Sequence, residues 1–312
     1  LLFHIVRMKV ETVIKVLAVQ FGLASCCNPS YYDEKYTSHR NWRLLPIDTC
    51  GVQKSNYDLI VDRRVVAEEI TGFGQNPWMV ALHTFKSSID STTIAQTTTQ
   101  QTTEKVQCRG SVINNKYILS GAHCIVPDER IYVTLGEYSS LDSETCNEKM
   151  CYCPRPTVLP VYRTCAHRPI VHLDIALIRL EISISFRNGY IRPICLPAFP
   201  KNRTYFDERI LEAARLHPEK DSNSGLQVLK VPVVSQQNCE AMWEQILSDR
   251  FICAGGIKRR GLCKKDIGGP LVARFLLPDE QVPRRFIIGV ASRINKTSVE
   301  PYCGNGVPDM FA

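Results

Sequence analysis

From about Trp78 onward, short apolar runs rich in Val, Ile, Leu and Tyr alternate with clusters of turn-forming residues, as at Tyr117–Leu119, Ile131–Leu135 and Arg285–Val290. Runs this short, bounded by turn signals, predict strands, and their succession along the chain predicts an all-β sandwich or barrel. Helical periodicity is best developed over Asn238–Ser248, where Met242, Trp243, Ile246 and Leu247 recur on one face. That spacing predicts a single short helix.

Three stretches depart from the alternation. Residues 91–104 are Thr, Gln and Ser with almost nothing apolar to pack, which predicts a surface loop inserted between two strands. Residues 28–64, with Tyr pairs, charges and Pro46, read as a linker. At the N-terminus the first apolar stretch is interrupted by Arg7, Lys9, Glu11 and Lys15, so no transmembrane segment fits. Residues 1–25 read either as a weak signal peptide starting at Met8 or as a mistaken translation of an upstream module.

Composition narrows the setting. Fourteen cysteines in 312 residues are too many for a reduced compartment, and none of them forms a zinc-finger cluster with His. Disulfides and a secreted, extracellular location follow. Sequons at Asn202 and Asn295 agree with glycosylation in such a compartment. No motif calls for a metal or a cofactor. The net charge of +7 is modest and scattered, which gives no reason to expect a nucleic-acid partner. Its one concentration is Lys258, Arg259, Arg260, Lys264 and Lys265, either a solvated loop or a surface for an acidic partner or glycan.

Candidate chemistry sits in four separated segments: Cys108-Arg-Gly-Ser through Gly-Ala-His-Cys124, Asp174-Ile-Ala-Leu177, Arg64-Val-Val-Ala through Pro-Trp78, and Asp266-Ile-Gly-Gly-Pro270. Taken in chain order and at their spacing, they resemble the chymotrypsin-like (S1) serine proteases over about residues 65–311. The resemblance implies two six-stranded antiparallel β-barrels preceded by a short extension. It puts His123 at the general-base position and Asp174 at the carboxylate that holds the imidazole. Ile267 stands where the nucleophilic serine belongs. Isoleucine has no lone pair with which to attack a carbonyl.

Other departures cluster around the same place. Lys265 replaces the glycine whose amide helps to form the oxyanion hole, and a side chain there opposes the backbone dihedral that aims this amide. Gly261 stands where trypsin-like members place an aspartate, so no preference for basic side chains is implied. Ser292, Arg293 and Ile294 occupy the segment that walls the primary pocket, with Arg293 and Ile294 replacing an aromatic residue and a glycine. Ala213-Ala-Arg215 lies roughly where a Gly-Trp-Gly block is expected. Cleavage after Arg64 would free Val65 to pair with Asp266, although Ala67 and Glu68 replace the glycines that let this segment turn inward.

The resemblance also implies the disulfides Cys108–Cys124, Cys239–Cys253, Cys263–Cys303 and Cys50–Cys195, the last tethering the segment before Arg64. Cys146, Cys151, Cys153 and Cys165 are left with three connectivities. Cys26 and Cys27 followed by Leu-Leu-Pro and Cys50-Gly resemble the end of a clip domain of the arthropod protease cascades, over residues 26–64. A strand and C-terminal helix are expected after Pro308, where only Val-Pro-Asp-Met-Phe-Ala312 closes the sequence. Loss of that helix would expose core surface. The whole implies a secreted, non-catalytic homologue that binds proteins of an extracellular protease cascade in immunity and melanisation. The alternatives are an active serine endopeptidase and a glycan or cell-surface adhesion module.

Overall fold

The computed structural model describes residues 34–53, 69–70, 75–85, 105–126, 130–136, 157–166, 174–187, 189–198, 203–216, 226–245, 247, 249–278, 280–294 and 303–312. The 91–104 insertion, the Arg64–Val65 junction, both sequon asparagines and Cys26, Cys27, Cys146, Cys151 and Cys153 lie outside them, as does the Cys165 side chain.

Thirteen described strands carry the fold. Strands β2 (Met79–Phe85), β3 (Lys105–Val112), β4 (Tyr117–Ser120), β5 (Arg130–Leu135), β6 (Thr157–Ala166) and β7 (Ala176–Leu180) close an antiparallel barrel in the order β2-β3-β4-β7-β6-β5. A second barrel contains β8 (Ile210–Leu216), β9 (Leu226–Val234), β10 (Ile252–Gly255), β11 (Pro270–Phe275), β12 (Arg284–Arg293) and β13 (Pro308–Phe311). Its order is β9-β10-β13-β12-β11-β8, closed by the β8–β9 pairing, and the two-residue β1 (Glu69–Ile70) adds to β9. Among the described residues, closure leaves only the two-residue β1 as an edge. Two six-stranded antiparallel barrels are the architecture the motifs implied.

Each barrel is filled from its inward-facing positions. Val80, Leu82, Val112, Ile118, Val133 and Ile178 pack the first, and Leu229, Val231, Leu271, Phe286 and Phe311 are among those that pack the second. The β13 strand forms, and both Phe311 and Ala312 are buried.

Two expectations need correction. The short helix is α2 (Gln236–Trp243), which begins where the Ser235 hydroxyl accepts the Asn238 amide and ends at Glu244 in a left-handed conformation (φ 52°). The chain then turns, so Leu247 reaches the core from outside the helix, its amide bound to Glu240 Oε1 at 3.1 Å. The apolar repeat at 242–247 therefore reflects a helix end plus a returning loop.

The stretch read as linker is, over residues 34–53, packed against the barrels through α1 (Glu34–Thr37) and a 3-10 turn at Trp42–Leu44. Tyr36, Trp42 and Leu45 are buried in the same cluster as Ile113, Tyr117, Ile194 and Leu196. Asn114 Nδ2 donates to Leu44 O, the Gly51 amide to Pro193 O, and Cys50 is joined to Cys195. Burying each of those large apolar side chains contributes about 1.5–3 kcal/mol, which no loose tether would gain.

Candidate functional site

The junction between the barrels brings the separated motifs together. A 3-10 turn, Ala122–Cys124, presents His123 with its side chain 42% exposed. Asp174 lies just before β7 and is half-buried, with His123 Nδ1 2.5 Å from Asp174 Oδ2. The His123 backbone amide donates to the other carboxylate oxygen at 2.9 Å, and the Ser292 hydroxyl donates to Oδ2 at 2.6 Å. Burial pushes the Asp174 carboxyl upward, but the His123 hydrogen bond and charge, then the Ser292 hydroxyl, more than offset it. The net shift is below the ordinary carboxylate value. A carboxylate so held fixes the imidazole orientation and leaves Nε2 as the working atom of any base chemistry.

Opposite this pair, the second barrel supplies a loop whose backbone is stitched across the junction. The Arg109 amide of β3 donates to Ile267 O at 2.7 Å, Gly268 N to Ala291 O at 2.7 Å and Ala291 N to Gly269 O at 2.8 Å. Gly268 has φ +88°, and a Cβ there would stand 2.2 Å from Arg109 O. Only glycine fits that contact. Ile267 itself is half-buried and packs against the apolar cluster of the first barrel. The Ile267 side chain thus helps to join the two barrels.

Immediately upstream, Lys264–Asp266 form a 3-10 turn. The Asp266 amide donates to Cys263 O, and Asp266 Oδ2 accepts the Cys263 amide at 2.8 Å. Lys265 carries no positive φ, in keeping with the steric limit expected of a side chain at that place, and both Lys264 and Lys265 point into solvent. Arg293 lies 5.6 Å over the Phe251 ring, and Ile294 packs against the second-barrel core. The four disulfides Cys50–Cys195, Cys108–Cys124, Cys239–Cys253 and Cys263–Cys303 are formed. His123 lies beside Cys108 and Cys124, but their sulfurs are bonded to each other and offer no thiolate to a metal.

Three features of the site escaped the sequence reading. Ser292, read as a pocket wall, is a direct partner of Asp174. Arg215 is buried and donates to Gly261 O at 3.2 Å and to Gln227 Oε1 at 3.1 Å, so a cation occupies the region of the missing Gly-Trp-Gly block. Asp309 is buried with its Oδ2 3.5 Å from where a Cβ on Gly261 would lie, accepting the Leu262 amide at 3.0 Å. Burial, with the nearby Asp266 charge, pushes its carboxyl up to about 7 despite that hydrogen bond. The sequence signal was an acidic residue in the last strand, legible only once β13 is seen beside Gly261.

The sequence profile of the family described as trypsin matches residues 71–307. Phenoloxidase-activating factor 3 of Holotrichia diomphalia is 33% identical over 237 residues, covering 71% of this chain and 61% of that protein. Phenoloxidase-activating factor 1 of the same species is 31% identical over 274 residues, 80% of this chain and 69% of the relative. This chain thus spans less than two thirds of the length of the first relative. The crystal structure of the drosophila Grass clip serine protease of the Toll pathway superposes with a TM-score of 0.64 at 22% identity, over 92% of this chain and 77% of that one, a likeness of fold. No described helix is long and apolar enough to cross a membrane.

Proposed function

Because the chain belongs to the trypsin family of serine proteases, we propose that it is a secreted, non-catalytic homologue that acts by binding in an extracellular protease cascade. The observation that carries this reading is Ile267 packed into the barrel junction opposite a hydrogen-bonded His123–Asp174 pair. A base without an oxygen or sulfur nucleophile cannot start acyl transfer. Ser292 does not substitute, because its hydroxyl proton is directed to Asp174 and away from His123. That argues against the endopeptidase alternative.

Both Holotrichia relatives bear phenoloxidase-activating names, and a cofactor role in phenoloxidase activation is the form of cascade binding this chain best fits. Cleavage after Arg64 would leave the 34–53 segment attached through Cys50–Cys195 and its buried apolar residues. The freed Val65 ammonium would then compete with the Cys263 amide for Asp266, giving a conformational switch that outlives the chemistry.

The test is exposure of the protein, cleaved after Arg64, to a fluorophosphonate probe beside an active trypsin-like control. This reading predicts labelling of the control alone. Stoichiometric labelling of the homologue would refute it.

A further inference from the structure

Away from the barrel junction, β8, β9, β11 and the 3-10 turn Arg203–Phe206 enclose an open groove of about 520 Å³ on the second barrel. That volume is in the range of ligand pockets. One wall is aromatic: the Tyr205 and Phe275 rings stack at 6.2 Å, and Phe206 meets Tyr205 edge-on at 5.2 Å. Ile210, beside them, is 68% exposed. An aliphatic side chain held in water against an aromatic wall gains by being covered.

The groove is also charged, and the charge is unbalanced. Arg209, Lys230 and Arg274 line it with a single carboxylate, Glu212. Lys230 lies opposite Glu212 in the β8–β9 register, yet Glu212 is paired with Arg274. Among the described residues, neither Arg209 nor Lys230 has a carboxylate partner. Arg209 is ordered in advance, with Nε donating to Tyr205 O at 2.6 Å and its guanidinium 4.0 Å over the Tyr205 ring. An arginine held in place loses less freedom when it takes up an anion.

We propose that this groove docks an acidic segment of a partner protein, in which carboxylates flank one aromatic or aliphatic side chain. The carboxylates meet Arg209 and Lys230, and the apolar side chain covers Ile210 and the Tyr205–Phe275 wall. The β8–β11 pairing stops at Glu212 and Val272, and the groove beyond it recognises the segment through the side chains that line it. The apolar wall favours a peptide over a sulfated glycan, which would need cations and polar groups alone. The proposal does not depend on whether the chain hydrolyses peptides.

The test uses the full chain and a fluorescein-labelled peptide, Glu-Phe-Asp-Leu-Glu-Asp, followed by fluorescence anisotropy at several salt concentrations. Saturable binding that weakens with salt is expected. Arg209→Glu with Lys230→Glu should weaken it about tenfold or more, the reversal of two screened ion pairs. Ile210→Ser should weaken it about threefold through lost apolar cover. Lys264→Glu with Lys265→Glu makes the same charge change on the other cationic loop and should leave it unchanged. Thermal midpoints identify folded variants, and Arg209→Gln with Lys230→Gln replaces the charge reversal if that protein misfolds. Absence of saturable binding, or equal loss in both charge-reversed pairs, overturns the proposal. So does equal binding of a peptide with Ser in place of Phe and Leu, joined by competition from a sulfated oligosaccharide.

Discussion

The two sides of the barrel junction have been treated differently. On the first-barrel side, His123 and Asp174 keep a full set of hydrogen bonds, to each other, to the His123 amide and to the Ser292 hydroxyl across the junction. On the second-barrel side, the loop through Ile267 keeps its backbone bonds to Arg109 and Ala291 while an isoleucine stands where the family resemblance calls for a serine. What persists on both sides holds the barrels together. The lesson is that a hydrogen-bonded relay and a positive-φ glycine are structural members in their own right, so their presence alone is no sign of turnover.

The sharpest way to break the comparison is at Gly268. Gly268→Ala places a methyl group against Arg109 O at a positive φ, and we expect a loss of about 3 kcal/mol or more, read as failure to fold or a collapsed urea midpoint. A loop kept only by chance would tolerate it.

Asp309 gives the next largest effect, with an unusual sign. Its folded pKa is raised to about 7, so the stability tied to its protonation is present below the ordinary carboxylate range and is lost as pH rises toward 7. Asp309→Asn keeps an acceptor for the Leu262 amide and removes that loss. In urea titrations the variant should exceed the parent at pH 8 by up to a few kcal/mol and match it near pH 4. Equal stability at pH 8 would mean that Asp309 has found a compensating cation.

Ser292→Ala probes the first-barrel side more gently. Removing a hydroxyl from an ionised carboxylate should cost about 1–2 kcal/mol at neutral pH. Asp174 has a lowered folded pKa, so its contribution is present above the unfolded value and disappears as pH falls through the folded one. Without Ser292 the folded value rises, and acid unfolding should begin at higher pH. An unchanged acid midpoint would show that His123 alone holds the carboxylate.

What could be read from the sequence follows the same division. Strands were legible because alternation is local, and the four disulfides and the His123–Asp174 contact because short motifs carry a family resemblance that fixes their partners. The Ser292 partner of Asp174, the burial of Asp309 beside Gly261 and the burial of Trp42 in the cluster that holds Ile113 were not, because each joins positions far apart in the chain through packing. The α2 boundary was missed for a smaller reason: the Glu244 left-handed turn lets apolar residues after the helix imitate its continuation.

The most direct measurement is the hydrolysis of a panel of peptide thioesters by Ile267→Ser protein after cleavage at Arg64. On the proposed non-catalytic reading the lesions are several: Lys265 in a 3-10 turn, Arg293 over Phe251 and Ile294 against the second-barrel core, besides Ile267 at the expected nucleophile position. Restoring the serine alone should therefore recover little hydrolysis above that of the unmutated protein, because the oxyanion and pocket positions remain altered. Turnover at the level of an active trypsin-like enzyme would contradict it and reduce the difference between the two sides of the junction to one side chain.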